Sequence, residues 1–142
     1  GALDRIAKGR EDRLGPEEHT AIHGDFHWGQ VLVTDDGVAC LIDITPGWSG
    51  DPAMDVGNLL GQLEKHRDAA WFGGFHDAFL DGYLELRPAV SRRRIAVHQA
   101  LTLVRIGAKY AIGEPEEEHM SAEAMFERAA RLLTEAAEAA AL

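Results

Sequence analysis

Two short runs of apolar and β-branched residues flank a turn sequence in the first third of the chain. Residues 30–34 (QVLVT) and 38–43 (VACLID) are separated by an Asp-Asp-Gly turn at residues 35–37. An Asp-Gly pair between two such runs is a strong signal for a β-hairpin. A hairpin brings the end of its second strand back beside the start of its first. We therefore predict that Asp43, which ends the second strand, lies near the loop that leads into Gln30.

Most of the remaining chain has the apolar spacing of helices. After a short helix in residues 3–13 and a loop, apolar residues recur three and four positions apart in four further segments. We predict these helices from about Pro52 to His66 behind the cap Asp51, from about Trp71 to the break at Arg87-Pro88, from the cap Ser91 to near Gly113, and from about Ser121. The expected fold is a single α+β domain over residues 1–142, mostly α, with one short β-hairpin and about four helices. The aromatic stripe between Trp71 and Tyr83 is expected to lie in the core.

The overall charge argues against some classes of partner. The 142 residues contain 14 Lys and Arg against 24 Asp and Glu, a formal net charge of −10. This excess repels phosphate backbones and anionic lipids, so we expect neither nucleic acid nor a membrane as a partner. No apolar run approaches the ~20 residues that span a bilayer, and no signal peptide is recognisable, so we expect a cytoplasmic protein. Cys40 lies in an apolar run and is expected to be buried and inert.

The densest group of chemically active residues is the octapeptide HGDFHWGQ at residues 23–30, a loop at the edge of a strand. In kinases, one Asp accepts the proton of the attacking hydroxyl, a carboxamide five residues later binds magnesium, and a second Asp bridges magnesium to the phosphates. Asp25, Gln30 and Asp43 have that order and spacing. Magnesium prefers oxygen ligands and keeps several waters, so one carboxylate and one amide oxygen suffice beside ATP. The pattern predicts phosphoryl transfer.

Residues 20–60 resemble the aminoglycoside phosphotransferase family of kinase-like small-molecule kinases. The loop at residues 23–30 is similar to the family's catalytic loop, roughly HGDxHxxN, and residues 42–56 are similar to its metal segment, roughly IDxxxxxxGDPxxDL. Gln30 stands where most members have Asn, and maltokinase-like members resemble this chain in having the sequence HxGQ there. The resemblance implies the C-terminal lobe of a protein-kinase-like fold.

The resemblance also implies catalytic roles. Asp25 looks like the catalytic base, and Gln30 and Asp43 look like ligands of Mg²⁺, with ATP as co-substrate and the hydroxyl of a small molecule as acceptor. Trp48, on the loop after Asp43, is a candidate for lining the acceptor pocket, with core packing as the alternative. The acceptor stays open among an aminoglycoside, a maltose-like sugar, choline and homoserine.

Four further residues take supporting roles by the same resemblance. His23 is similar to the histidine that braces the catalytic loop, and His27 lies in the same loop. Asp51 and Asp55 match acidic positions of the family: Asp51 caps a helix and Asp55 ties that helix to the loop. The acidic residues at 114–118 read as a solvated helix entry, with an acidic lip for a cationic acceptor as the alternative.

Kinases of this kind bind ATP between two lobes, and the N-terminal lobe supplies a phosphate-covering loop and a strand lysine. Neither pattern occurs in residues 1–22. We therefore expect this chain to be the catalytic C-terminal lobe of a longer parent, to require the missing N-terminal lobe as its partner, and to be inactive alone. An apolar surface left where that lobe docks also favours association of the chain with itself, for example as a dimer.

Two alternatives belong to other functional classes. A kinase-like lobe without its partner lobe could serve as a non-catalytic module that only binds a small molecule or a protein. His23, Asp25 and His27 could instead form a transition-metal site. The metal alternative is the weaker one, because no distant His or Cys is spaced to supply the fourth ligand of a closed zinc site.

Overall fold

The computed structural model describes residues 19–44, 48–113 and 120–139. The helix predicted in residues 3–13 and the acidic residues at 114–118 lie outside these ranges. None of the helices in the described ranges is both long enough and apolar enough to cross a membrane.

The described strands are short and form two antiparallel pairs. They are β1 (Thr20–Ala21), β2 (Val31–Val33), β3 (Ala39–Leu41) and β4 (Ser49–Gly50). Strands β2 and β3 pair with Val31 opposite Leu41, which confirms the predicted hairpin, and Gly37 in its turn has a φ of 83°. Strands β1 and β4 also pair, with Thr20 opposite Gly50. This second pairing was not predicted, and it brings the chain after the hairpin back beside the start of the loop at residues 23–30.

Four α-helices follow these strands in sequence in the described part of the chain. They are α1 (Pro52–Leu63), which continues as a 3-10 turn (Glu64–His66), α2 (Phe72–Leu86), α3 (Arg92–Ile112) and α4 (Ala122–Ala139). Asp51 caps α1 ahead of a proline at its first position, and Ser91 caps α3 by accepting a hydrogen bond from the Arg94 amide at 3.2 Å. The mostly helical α+β class is confirmed, and the described residues contain the four helices predicted after Asp51.

Helices α1 and α3 approach each other unusually closely. A Cβ atom placed on Gly57 would lie 2.4 Å from the Cβ of His98, and one on Gly61 would lie 2.7 Å from the Cβ of Thr102. Only glycine therefore allows the two backbones to come this near. Around this contact lie the most deeply buried side chains, which include Leu60, Ile95, Leu103 and Met125.

Helix α2 is less buried than its aromatic stripe predicts. Phe72 is 6% exposed, and Phe79 packs against the neighbouring buried residues. Trp71 and Phe75 are 50% and 42% exposed, so the prediction that they lie in the core is wrong. Both side chains lie on the adjoining face of α2, which no described element covers.

The hairpin also differs from the prediction made for its cysteine. Cys40 is exposed rather than buried. The physical reason is that β2 and β3 form a sheet of only two strands, and within the described ranges neither of its faces is covered. The neighbouring apolar side chains of Leu32, Val33 and Leu41 are at least half exposed for the same reason.

A buried carboxylate joins three of the helices. Glu64, at the end of α1, is fully buried and accepts hydrogen bonds from Gln99 Nε2 at 2.8 Å and from Arg67 Nη1 at 3.1 Å. The guanidinium of Arg128 on α4 donates to the same carboxylate through Nε and Nη2, both at 3.2 Å. A buried ion pair that is fully hydrogen-bonded costs little to keep, but removal of one partner leaves the other charge buried and uncompensated.

Replacement of this carboxylate tests its importance. Glu64→Ala is expected to lower the free energy of unfolding by about 3–5 kcal/mol, because among the described residues Arg128 then keeps only Glu135, at 3.6 Å, as an ionic partner. Glu127→Ala is the matched control, because Glu127 on α4 is 64% exposed and its partner Arg131 lies 3.9 Å away. That control should change stability by less than about 1 kcal/mol. Urea unfolding followed by circular dichroism measures both variants, and equal losses would contradict the assignment.

Candidate active site

The loop at residues 23–30 leaves β1, passes an exposed Asp25 and enters β2 through a short 3-10 turn (Trp28–Gln30). His27 caps that turn, because its Nδ1 accepts a hydrogen bond from the Gly29 amide at 3.2 Å. The cap leaves Asp25 outside the turn with its side chain open to solvent. A substrate can therefore reach this carboxylate.

The carboxylate of Asp55, in the first turn of α1, holds the start of the loop at residues 23–30. Its Oδ2 accepts a hydrogen bond from the His23 amide at 2.7 Å, and its Oδ1 accepts one from the Gly24 amide at 2.9 Å. His23 and Gly24 are the two residues immediately before Asp25. Charge-assisted hydrogen bonds of this length are strong, so α1 firmly holds the backbone of His23 and Gly24, which leads into Asp25.

The His23 side chain connects the same loop to the end of the hairpin. Its Nε2 lies 2.9 Å from the carbonyl oxygen of Ile42 and donates to it, since a carbonyl can only accept. The other ring nitrogen, Nδ1, is buried and has no hydrogen-bond partner among the described residues. His23 therefore links the residue before Asp43 to the loop that carries Asp25.

Gln30 and Asp43 lie together, at the base of the hairpin. The Gln30 Nε2 is 3.5 Å from Asp43 Oδ2, although the residues are thirteen positions apart in sequence. The Gln30 side chain is only 6% exposed, and its Oε1 is buried with no hydrogen-bond partner in the described part of the chain. Asp43 is exposed and has a φ of 59°. A left-handed backbone is rare outside glycine, and such residues concentrate at functional sites.

These residue types fit a magnesium ion. The exposed carboxylate of Asp43 is a hard oxygen ligand of the type that magnesium selects, and the Gln30 amide lies next to it. Gln30 presents Nε2 to Asp43 while its Oε1 is buried, so this oxygen would bind the same ion only after the amide group turns over. Within the described ranges, no group of three or more His, Cys, Asp or Glu side chains is placed to hold a metal ion. The geometry therefore gives no support to the transition-metal alternative at His23, Asp25 and His27.

Asp51 lies at the start of α1 and is surrounded by donors. Its carboxylate accepts from the Ala53 amide at 2.9 Å and from Arg94 Nη2 at 3.1 Å, and His98 Nε2 lies 3.4 Å away. Burial alone would raise the pKa of Asp51, but the hydrogen bonds from His98, Ala53 and Arg94 outweigh it and lower that pKa to about 2. Asp51 thus stays ionised at neutral pH and anchors the start of α1 to α3.

Asn58 contributes a contact that the sequence reasoning missed. Its Nδ2 donates to the Phe26 carbonyl oxygen at 2.8 Å, and its Oδ1 accepts from Thr102 Oγ1 at 3.1 Å and Arg105 Nη2 at 2.7 Å. The carbonyl group of the residue after Asp25 is therefore tied to α3 through this amide. The available signal was the position of Asn58 three residues after Asp55, which places both side chains on one face of α1.

Trp48 lies against the loop but outside the core. Its ring lies so close to Gly24 that a Cβ atom there would be 2.5 Å from the ring atom Cε3, and Gly24 has a φ of 87°. The Trp48 residue is nevertheless 53% exposed. An exposed indole therefore lies beside the residue that precedes Asp25, where it is available to a bound molecule.

Comparison with known proteins adds one finding. The sequence model of the phosphotransferase enzyme family, APH, matches residues 2–90. The match includes the loop, the hairpin and helices α1 and α2. No curated protein and no solved structure gives a significant match to the chain.

The contact between Gly24 and Trp48 can be tested with two alanine variants. Both Gly24 and Gly37 have a positive φ, but a Cβ on Gly37 meets nothing within 4 Å. Both substitutions should lose about 1–2 kcal/mol from backbone strain, and Gly24→Ala should lose about 1–3 kcal/mol more from overpacking against the indole. Chemical denaturation measures the difference, and the NMR signal of the Trp48 indole should shift only in Gly24→Ala. Equal losses with an unmoved indole signal would contradict this packing.

Proposed function

Because this chain belongs to the phosphotransferase enzyme family, we propose that it is the catalytic C-terminal lobe of a small-molecule kinase. The proposed reaction moves the γ-phosphoryl group of ATP to a hydroxyl of a small acceptor. One observation carries the proposal: the Gln30 amide and the Asp43 carboxylate lie side by side at the base of the loop that presents Asp25. These are the oxygen ligands and the base that such a transfer needs.

Asp25 acts as the base in this proposal. Its exposed carboxylate accepts the proton of the acceptor hydroxyl while the bond from that oxygen to the γ-phosphorus forms and the bond from phosphorus to ADP breaks. The backbone of the residues on both sides of Asp25 is held by hydrogen bonds to Asp55 and Asn58. Such fixation holds the carboxylate in place for the reaction, which is where much of the rate of a phosphoryl transfer originates.

Gln30 and Asp43 would hold Mg²⁺ together with the phosphates of ATP. When bound, the ion offsets the negative charge of the phosphates. The burial of Gln30 keeps its amide group beside Asp43, where a turn of that group would bring its oxygen to the ion, and the link from His23 to Ile42 holds the backbone next to Asp43. Gln30, where most members of the family have Asn, also supports a relationship to the maltokinase-like members.

His23, His27, Asp51 and Asp55 act as positioning residues. Each makes its contact with backbone or with another helix: His23 with the Ile42 carbonyl, His27 with the Gly29 amide, Asp51 with α3 and Asp55 with the loop. Their loss should therefore lower activity through the placement of Asp25 and Asp43 rather than through direct contact with the substrate.

An ATP-binding lobe is the proposed partner of the exposed hairpin. Leu32, Val33, Val38 and Leu41 are 50% to 68% exposed, which is unusual for four neighbouring apolar side chains. A lobe that packs on this surface would also complete the nucleotide site beside Asp43. Without that partner the same surface should promote self-association of the chain at high concentration.

The proposal predicts a specific loss of activity in the full-length gene product. With γ-labelled ATP and a panel of hydroxyl acceptors, Asp25→Asn should lower kcat by about 10²–10⁴-fold with little change in ATP affinity, because only proton acceptance is removed. Asp43→Ala should abolish turnover and leave the fold intact, as circular dichroism would show.

Asp77→Asn is the matched control, because Asp77 on α2 is 79% exposed and pairs only with the neighbouring His76 among the contacts described. Its kcat should equal that of the unmodified protein. Retained transfer in Asp43→Ala, or a normal rate in Asp25→Asn, would overturn the assignment.

A further inference from the structure

A small cavity lies directly against the catalytic loop on the side of α3. Its volume is about 210 Å³, and its lining includes Gly24 of the loop, Met54 and Asn58 of α1, and His98 and Arg105 of α3. Gly24 is the residue before Asp25, and Asn58 bonds to Phe26, the residue after it. The cavity therefore lies beside the residue that precedes the exposed carboxylate, and its Asn58 side chain contacts the residue that follows it.

The lining of this cavity is positive rather than negative. Among the described residues, its lining includes the guanidinium of Arg105 and the ring of His98 but no carboxylate. His98 faces the carboxylate of Asp51 at 3.4 Å. Arg105 is exposed, and its described hydrogen bond joins Nη2 to the neutral amide oxygen of Asn58 at 2.7 Å. No described contact therefore offsets the charge of Arg105 with a carboxylate.

Asn58 also fixes the position of the Arg105 guanidinium. One of its amide atoms holds the Phe26 carbonyl and the other holds Arg105, so the guanidinium and the loop are coupled through a single buried side chain. A guanidinium held in this way keeps further N–H groups in a fixed plane, which suits the two oxygens of a carboxylate. A cation in the same cavity would meet like charge.

We propose that Arg105 is a specificity-determining residue and that the acceptor is a small hydroxy acid. Its carboxylate pairs with Arg105, and its hydroxyl faces Asp25. This inference rests on the proposed kinase function and restricts it, because it excludes polycationic acceptors such as aminoglycosides from this site. Trp48, beside Gly24, lies close enough to the loop to report on occupancy of the cavity.

Two probes that differ only in a carboxylate test the inference on the 142-residue chain. Glycerate and glycerol share their hydroxyl groups but differ in charge. Titrations followed by NMR should show that glycerate shifts the signals of Gly24, Arg105 and the Trp48 indole with a Kd at least tenfold lower than that of glycerol. Equal affinities, no binding of glycerate, or tighter binding of the polycation kanamycin at these signals would overturn it.

Three variants separate charge from structure. Arg105→Gln should remove the preference for glycerate, and Arg105→Lys should keep part of it, since the charge stays but the planar fork is lost. Arg131→Gln is the matched control, because Arg131 on α4 is 61% exposed and does not line this cavity. It should bind both probes as the unmodified chain does. An unchanged preference in Arg105→Gln, with its fold verified by circular dichroism, would contradict the role of this arginine.

The test is independent of catalysis, so the two proposals can fail separately. Phosphoryl transfer by the full-length gene product without any preference for glycerate would contradict the role of Arg105 and leave the kinase function standing. Glycerate binding that depends on Arg105, in a gene product that transfers no phosphoryl group, would contradict the kinase function alone.

Discussion

The close approach of α1 to α3 is the constraint on which the described structure depends. Gly57 and Gly61 allow the two backbones to touch, since a methyl group at either position would collide with α3. At this distance the polar side chains of α1 reach partners on α3 directly. Asp51 reaches Arg94, Asn58 reaches Thr102, and Glu64 reaches Gln99. The two helices thus form a rigid unit along the whole length of α1.

Hydrogen bonds from α1 hold the loop at residues 23–30 against this unit. Asp55 and Asn58 project from α1 into the loop and bind its backbone on either side of Asp25. Asp25 itself makes none of these contacts, so its carboxylate remains free for a substrate while its peptide neighbours are fixed. A reactive group on a loop whose flanking backbone is bonded to rigid helices is a common way to preorganise a site.

The sequence allowed a good prediction of those features that depend on local chemistry. The Asp-Gly turn predicted the hairpin, and the Asp-Pro and Ser caps predicted where α1 and α3 begin, because turns and caps depend on residues only a few positions apart. The proximity of Asp43 to Gln30 followed from the same hairpin.

Features that depend on distant partners could not be predicted in this way. Asn58 binds atoms 32 and 47 residues away, and no local pattern marks such a contact. The charge of the cavity beside the loop arises from Arg105, which sequence reasoning did not single out. The exposure of Cys40 and Phe75 was missed for the opposite reason, since an apolar pattern shows which face can be buried but not whether another element covers it.

The most direct test of the central claim is to locate a bound divalent ion on the chain. Mn²⁺ shares the preference of Mg²⁺ for oxygen ligands and broadens NMR signals of nearby nuclei. In a titration of the ¹⁵N-labelled chain with Mn²⁺, the side-chain amide of Gln30 and the backbone amide of Asp43 should broaden first. Broadening that begins at the exposed turn residues Asp35 and Asp36, with Gln30 unaffected, would contradict the account.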